Sequence, residues 1–405
     1  LIRLAWRNLQ RNKSRTWLTA GGIGFSVLLV SFAMSMQSGS YEIMIDSATR
    51  YFSGHGQVSD ASYFDQPRFE RTVLNAAALQ AELETIDGLS VMPRVQAFAV
   101  VSMGEKSLGG MVMGVDFAAE TRFLDIYDNV IEGQIPRASN EALIGSSMAR
   151  NLGAGVGDEL IVLGSGKQGA VAAAIFIIAG IVETGQVELD RTLVFAPITG
   201  IAEAFYLQDE AHMLLLMVEN LSQLGPIGAQ IETKLTGPLA LQTWQELMPM
   251  IEQSIELDKA GAQLFYSLLL ILVVFAVVNT FVMVLFERTR EFGLFMALGM
   301  RPWQVIGQVQ FEALLLSLLG VGLGLALALP LINYLSAVGI PLEYMGGEEA
   351  ARQMQMGSLD RLFPKATLVS LLAAPMVMIV GTQLAALVST VRVRGIHPVS
   401  ALRVE

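Results

Sequence analysis

ERTREFGLFMALGMRPWQV, residues 287–305, carries five charged side chains and stands between two long stretches that carry none. Residues 260–286 and 313–342 lack any Asp, Glu, Lys or Arg, and so do residues 16–41 and 366–391. A helix needs about 20 apolar residues to cross the hydrocarbon core of a bilayer, and each of the four stretches is longer than that. The expected spans are residues 17–36, 264–285, 313–335 and 367–387. The chain therefore reads as an integral membrane α-helical protein with four transmembrane helices. Residues 37–263 form a large domain inserted between the first and second spans.

The composition agrees with this reading. Hydrophobic residues make up 53% of the 405 and charged residues only 16%, against about 25% charged in soluble domains; the mean hydropathy is +0.52. There is no cysteine, which excludes disulfides, thiolate metal sites and cysteine nucleophiles. His55, His212 and His397 are far apart and lack the spacing of a zinc site. The net charge of −11 is uneven: residues 37–263 hold 29 acids and 12 bases, the remainder 8 acids and 14 bases. So acidic a domain offers no basic patch for phosphates, and nucleic acid is not an expected partner.

The bases set the expected orientation. Arg3, Arg7, Arg11, Lys13 and Arg15 precede span 1; Arg288, Arg290 and Arg301 lie between spans 2 and 3; Arg392, Arg394 and Arg403 follow span 4. This places an amphipathic segment (1–16), a loop (286–312) and a tail (388–405) in the cytoplasm, with the 37–263 domain and a short loop (336–366) on the other face. Two decoys are set aside. Span 1 has the basic start of a signal peptide but an uncharged run well beyond the usual 7–15 residue core. Residues 168–182, QGAVAAAIFIIAGIV, are uncharged but too short to span and read as a buried strand.

Inside the spans, Gly320, Gly324 and Ala328 put small residues on one helix face, suited to close packing within one subunit or between two. Asn279, Thr280 and Gln383 are expected to face protein rather than lipid. Pro330 and Pro375 are expected to interrupt helical hydrogen bonding locally.

The large domain reads as α+β. Strand-like runs fall at 57–59, 94–101, 110–115, 159–163, 174–182, 193–195 and 212–218, and helical ones at 76–86, 146–152 and 199–206, without a βαβ rhythm. Residues 40–51 and 242–258 have helical periodicity and are expected to form a stalk, with Met248 and Ile251 as candidate cargo contacts. Gly164-Ser165-Gly166-Lys167-Gln168 lacks the glycine and hydroxyl spacing of a phosphate loop and reads as a turn. No catalytic constellation is present, and the domain reads as a binding or force-transmitting module.

The opening stretch then gains meaning. Phe292, Phe295, Met296 and Leu298 cluster at helical spacing, Gly299 suits a helix end at positive φ, and Pro302 suits the first turn of the next helix. A short helix between two spans is a natural lever for a soluble motor.

ERTREFGLFMALGMRPWQV resembles the signature loop of the FtsX/MacB/LolC-LolE permeases, the membrane subunits of type VII ABC systems. RNLQRNKSRT (7–16) resembles that family's opening motif. IHPVSALR (396–403) resembles its closing one, with His397 where an acid is common. The resemblance implies a non-catalytic permease of the bacterial inner membrane. It implies a second permease copy or paralogue and a pair of separate ABC ATPase subunits that bind ATP and Mg; this chain itself holds no cofactor. The family's coupling helix falls on residues 287–300, which implies coupling roles for Glu287, Arg288, Arg290, Glu291, Gly293, Ala297 and Gly299. The implied mechanism is transmission of ATP-driven motion through the spans to the large domain.

GHGQV (54–58), GVDFAAE (114–120), ETGQVELD (183–190) and Trp244 are similar to the lipoprotein-releasing LolC/LolE branch. That branch implies extraction of a lipoprotein or other hydrophobic cargo, with a periplasmic carrier. Here the connection corresponding to the branch's carrier-recruiting hook, residues 164–169, is short. MacB-like efflux through an adaptor and FtsX-like signalling to a cell-wall hydrolase are the alternatives.

Overall fold

A computed structural model describes residues 10–341, apart from 12 and 65, and residues 361–391. Residues 7–9 and 12 of the expected opening motif lie outside these residues, as do most of the 336–366 loop and all of the closing motif.

From the N-terminus, α1 (Lys13–Ala48) passes through one π-helical stretch (Thr49–Ser53) into β1 (Gly56–Asp60), β2 (Val73–Leu74), α2 (Ala76–Leu83), β3 (Leu89–Met103) and β4 (Lys106–Val115). Next come α3 (Phe117–Glu120), β5 (Val130–Gly133), β6 (Glu141–Gly145), α4 (Ser146–Leu152), β7 (Glu159–Ser165) and β8 (Val171–Val182). These lead to α5 (Val187–Thr192), β9 (Leu193–Pro197), α6 (Ile198–Ala204), β10 (Glu210–Ala211), β11 (Met213–Val218), α7 (Leu224–Lys234), β12 (Leu239–Thr243) and α8 (Trp244–Leu247). The chain closes with α9 (Pro249–Glu287), α10 (Thr289–Ala297), α11 (Pro302–Val338), β13 (Ile340–Pro341), β14 (Arg361–Leu362) and α12 (Leu368–Val391). Among the described residues four helices, those beginning at Lys13, Pro249, Pro302 and Leu368, are long and apolar enough to cross a membrane. The α+β domain lies between the first and second of them. Two compact units result, residues 44–253 and the remainder.

Within residues 44–253 the 15-residue strand β3 serves two sheets. Its first part pairs with β11, which continues to β1 and β12, all antiparallel. Its second part pairs with β4 on one edge and β7 on the other. From β4 the ladder runs to β9, β6, β8 and back to β7, so six strands close a ring. Closure leaves those strands no free edge. Val101, Val112, Ile144, Val162, Phe176 and Val194 fill the ring, and Met148 of α4 and Ile201 of α6 pack against them.

Two of the motifs quoted above have structural work here. Asp116 caps α3, its Oδ1 accepting from the backbone N–H of Ala118 at 2.9 Å, which satisfies a donor that a helix start leaves free. Glu120, four residues on, is fully buried and takes both Arg94 Nε (2.6 Å) and Nη2 (2.8 Å). Burial opposes the Arg94 charge, but the Glu120 carboxylate outweighs it and holds the guanidinium protonated. Burial, and then the same carboxylate, pushes the Tyr127 phenol far up. The Tyr127 hydroxyl donates to Glu120 at 2.6 Å, and Arg94 Nη1 donates to the Phe52 carbonyl at the end of the π-helical stretch. In the second motif, Asp190 Oδ1 accepts from the Thr184 N–H (2.8 Å) and hydroxyl (2.6 Å).

Several expectations are corrected. Residues 242–258 are not one helix: β12 and α8 precede a break at Met248 (φ −129°, ψ 62°), and α9 starts at Pro249. A residue before proline is pushed out of the helical region, and proline is tolerated only in the first turn. Residues 168–182 do form a strand from Val171, but Val171, Ile175 and Ile177 are exposed, so its first half lies on an open wall of the ring. The strands β5, β6 and β12 and the helix α7 were not expected at all. The helices continue past Pro330 and Pro375, each of which lacks the N–H for one helical hydrogen bond, so the interruption is local and ends neither helix.

In the other unit, Ala20, Ile23 and Val27 of α1 pack with residues of α9, α11 and α12 in one core. Gly320 and Gly324 face α1: a Cβ on Gly320 would lie 2.7 Å from the Ile23 Cβ, and one on Gly324 would lie 2.6 Å from the Gly24 carbonyl oxygen. Ala328 is fully buried. The small-residue face is thus used inside the chain. At the far end Tyr41 donates to Asp258 (2.5 Å) and Lys365 pairs with Glu42 (2.5 Å).

Candidate functional site

The charged stretch that opened the sequence is a helical hairpin corner. The chain leaves α9 at Glu287, turns at Arg288 (φ −102°, ψ 7°), and enters the short α10. Its end is a full Schellman closure: Met300 N–H bonds to the Phe295 carbonyl and Gly299 N–H to the Met296 carbonyl, with Gly299 at φ 97°. That geometry needs a left-handed residue, which glycine supplies without steric cost. Arg301 is extended before Pro302, its N–H donates to Gln304 Oε1 at 2.9 Å, and α11 starts at once. The helix expected after Pro302 and the third span are therefore one continuous rod.

One face of α10 is locked down and the other is open. Phe292 is fully buried, Gly293 is buried, and Phe295 and Met296 are half-buried. Leu298, expected on the packed face, is 77% exposed because it lies just past the helix end, where the chain has left the helical phase. Arg290, Leu294, Ala297, Leu298 and Trp303 make the open face. Arg290 has no ion-pair partner among the described residues.

A network of charges holds the corner. Arg288, 8% exposed, donates from Nη1 to Glu312 Oε2 at 2.8 Å and from Nε to Glu291 Oε2 at 2.9 Å. Its guanidinium also lies 5.1 Å from the centre of the Phe292 ring. Arg15 forms a two-pronged pair with Glu287 (2.6 and 2.8 Å), and Arg11 reaches Glu291 at 2.6 Å. Burial raises the Glu291 carboxyl, but the hydrogen bonds from Arg288 and Arg11 outweigh it and hold its pKa below the ordinary value. The network ties α1, α9, α10 and α11 at one end. A cavity of about 60 Å³ beside it, lined by Arg15, Thr19, Arg288, Glu312 and Leu316 among others, is water-sized rather than substrate-sized.

Glu287, Arg288, Arg290, Glu291, Gly293, Ala297 and Gly299 thus fall together at this corner, in different environments. Met248 and Ile251 are half-buried near the start of α9, with Met248 Sδ 3.9 Å from the Ser53 hydroxyl. Sequence reasoning missed Glu312, which fell at the end of the expected cytoplasmic loop, and the pairing of Arg11 and Arg15, read only as orientation signals. Glu312 was the sole acid between Glu291 and residue 343, which is a usable signal.

Residues 16–234, more than half the chain, match the MacB-like periplasmic core domain, and residues 264–398 match the FtsX-like permease C-terminal family. The chain is 22% identical over 326 residues to the lipoprotein-releasing system transmembrane protein LolC of Xylella fastidiosa, covering 77% of each. It is 25% identical over 349 residues to the macrolide export ATP-binding/permease protein MacB of Bordetella avium, covering 81% of this chain and 51% of that one. The periplasmic region of MacB from Actinobacillus actinomycetemcomitans aligns with a TM-score of 0.37 at 12% identity, over 50% of this chain and 92% of that region.

Proposed function

This chain belongs to the FtsX/MacB family of ABC transporter permeases, and from that premise we propose that α10 receives the stroke of an ABC ATPase and passes it into α9 and α11. Members of the family are non-catalytic membrane subunits, and an ABC ATPase is their partner. ATP and Mg are bound there. The chain is a multi-pass protein of the bacterial inner membrane with both termini and α10 on the cytoplasmic side.

The observation that carries this reading is the charge network at the corner. A helix joined to its neighbours only by loops would swivel when pushed. Here Arg288 bridges α10 to α11 through two carboxylates, so a push on the open face moves both rods together. The open face suits a docking surface: Leu294, Leu298 and Trp303 give apolar area and Arg290 a free cation. With Leu294→Glu and Leu298→Glu together, crosslinks between α10 and the ATPase should disappear while membrane insertion persists. Undiminished crosslinking would remove this face from the mechanism.

The motion is used by the large domain to extract or release a lipoprotein or another hydrophobic cargo. The LolC relative, aligned over equal shares of both chains, supports that cargo class. So does the exposed apolar wall of the six-stranded ring, where Phe98, Val100, Ile161, Leu163 and Ile175 face outward. The MacB relative favours efflux as the second reading. Photocrosslinkers on the ring wall or at Met248 and Ile251 should capture acylated cargo in membranes turning over ATP; capture of soluble small molecules alone would favour efflux.

A further inference from the structure

Within residues 44–253 the open sheet ends at β12, which pairs with β1 and with no other strand among the described residues. Trp244 N–H bonds to the His55 carbonyl and Ala61 N–H to the Pro238 carbonyl. In an antiparallel ladder the direction of the backbone groups alternates, so Ala240 and Gln242 also turn theirs toward β1. Leu239 and Leu241 turn theirs outward, about 6.8 Å apart along the strand. Neither residue's N–H or C=O has a partner among the described residues. The strand LALQT (239–243) carries no charge, proline or bulge to guard that edge. Beside it lies a cleft of about 330 Å³, walled by Leu224 and Gly228 of α7 and by Leu241 and Trp244. The bare Gly228 keeps it open, since a Cβ there would lie 3.2 Å from Leu241 Cδ2. Glu232 of α7 also lines the cleft; it is exposed and has no ion-pair or hydrogen-bond partner among the described residues. Gln245 lines it too, and its Oε1 meets no donor there.

We propose that β12 takes an extended, basic segment of a partner protein as an added strand, with an apolar side chain in the cleft and a Lys or Arg against Glu232. Only a peptide backbone offers N–H and C=O groups at the spacing that Leu239 and Leu241 present, so the edge selects protein over lipid or sugar. Alternate side chains of an added strand point to one face of the sheet, and the cleft gives one of them an apolar seat. Charge then selects among peptides. Residues 37–263 hold 29 acids against 12 bases, and the unpaired Glu232 adds to that field at the cleft itself, which attracts a basic segment and repels an acidic one. The same charge disfavours a second copy of this chain at this edge: LALQT brings no base, and another Glu232 would come with it. The inference is independent of what α10 receives or what cargo the large domain moves.

The probe is a library of seven-residue peptides selected on the full chain in lipid nanodiscs. The peptides enriched should be apolar at alternate positions and carry Lys or Arg. In the strongest binder, methylating one backbone amide at a time should lower affinity about three- to tenfold at every second position only, because only every second N–H faces β12. Glu232→Lys, an exposed change that leaves the ladder intact, should weaken the same peptide about threefold. Exchanging the peptide's base for Glu should restore binding to that variant. No enrichment, methylation effects that do not alternate, or an affinity unchanged by Glu232→Lys would overturn the proposal. So would equal binding of PLALQTW, the chain's own residues 238–244, which would put a second copy on the edge instead.

Discussion

Removing the Arg288 side chain should separate the stability of the four-helix unit from its use as a lever. Arg288 and Glu312 are 8% and 9% exposed and 2.8 Å apart. Two unit charges about 4 Å apart attract by ~4 kcal/mol at an effective dielectric of 20. Breaking one side of a buried pair typically costs about 3–5 kcal/mol, because the other charge stays behind unpaired. Arg288→Met should therefore destabilise the membrane unit by up to roughly that amount, and Glu312→Met by less, because Arg288 keeps its bond to Glu291. Arg288→Met with Glu312→Met should recover most of it, since replacing both partners of a buried pair with apolar side chains is often neutral. Transmission should not recover, because the tie from α10 to α11 is gone in all three variants. Chemical or thermal unfolding in detergent measures the first quantity, and ATP-driven cargo movement per ATP hydrolysed in proteoliposomes measures the second. A double variant that moves cargo as efficiently as the natural chain would refute the lever, and single variants of unchanged stability would refute the pairing.

Two further outcomes follow from other parts of the molecule. His212 is fully buried, its Nδ1 accepting from the Gln96 N–H and its Nε2–H donating to the Phe69 carbonyl; burial pushes its pKa down to about 4. The unfolded chain binds that proton near pH 6.5, so stability is full above pH 6.5 and falls by up to about 3 kcal/mol as pH drops to 4. A pH series of unfolding midpoints for His212→Gln should be flatter over that window, and an identical slope would exclude His212 as its source. Gly324→Leu puts side-chain atoms where a Cβ already lies 2.6 Å from the Gly24 carbonyl oxygen. Unfolding in detergent should show a loss of about 1–3 kcal/mol, and no loss would mean that α1 and α11 can part freely.

The parts that were legible in the sequence depend on long, one-signed patterns. Four charge-free runs show four spans because no other arrangement hides so much apolar chain from water. The end of α10 could be read because Gly299 and Pro302 act within a few residues of themselves. Pairings between distant residues could not be read. Glu312 finds Arg288, 24 positions away, only once the corner folds the chain back on itself, and the closing of six strands into a ring rests on ladders that no local pattern encodes. The five-residue strand EALIG, β6, has too few residues to show an alternation. Asn279, expected to face protein, is exposed on α9, and nothing local in the sequence says what lies against it.

Strand β3 belongs to the open sheet at one end and to the closed ring at the other. Fifteen residues of extended chain make a beam about 50 Å long with no loop along its length. The two halves of the large domain therefore share a member rather than a joint. A displacement imposed where β3 meets β11 travels along covalent bonds to where it meets β7, and neither sheet can be retuned by evolution without the other registering the change. Variation should gather instead at the rims, such as the short turn between β7 and β8, where length can change without bending the beam.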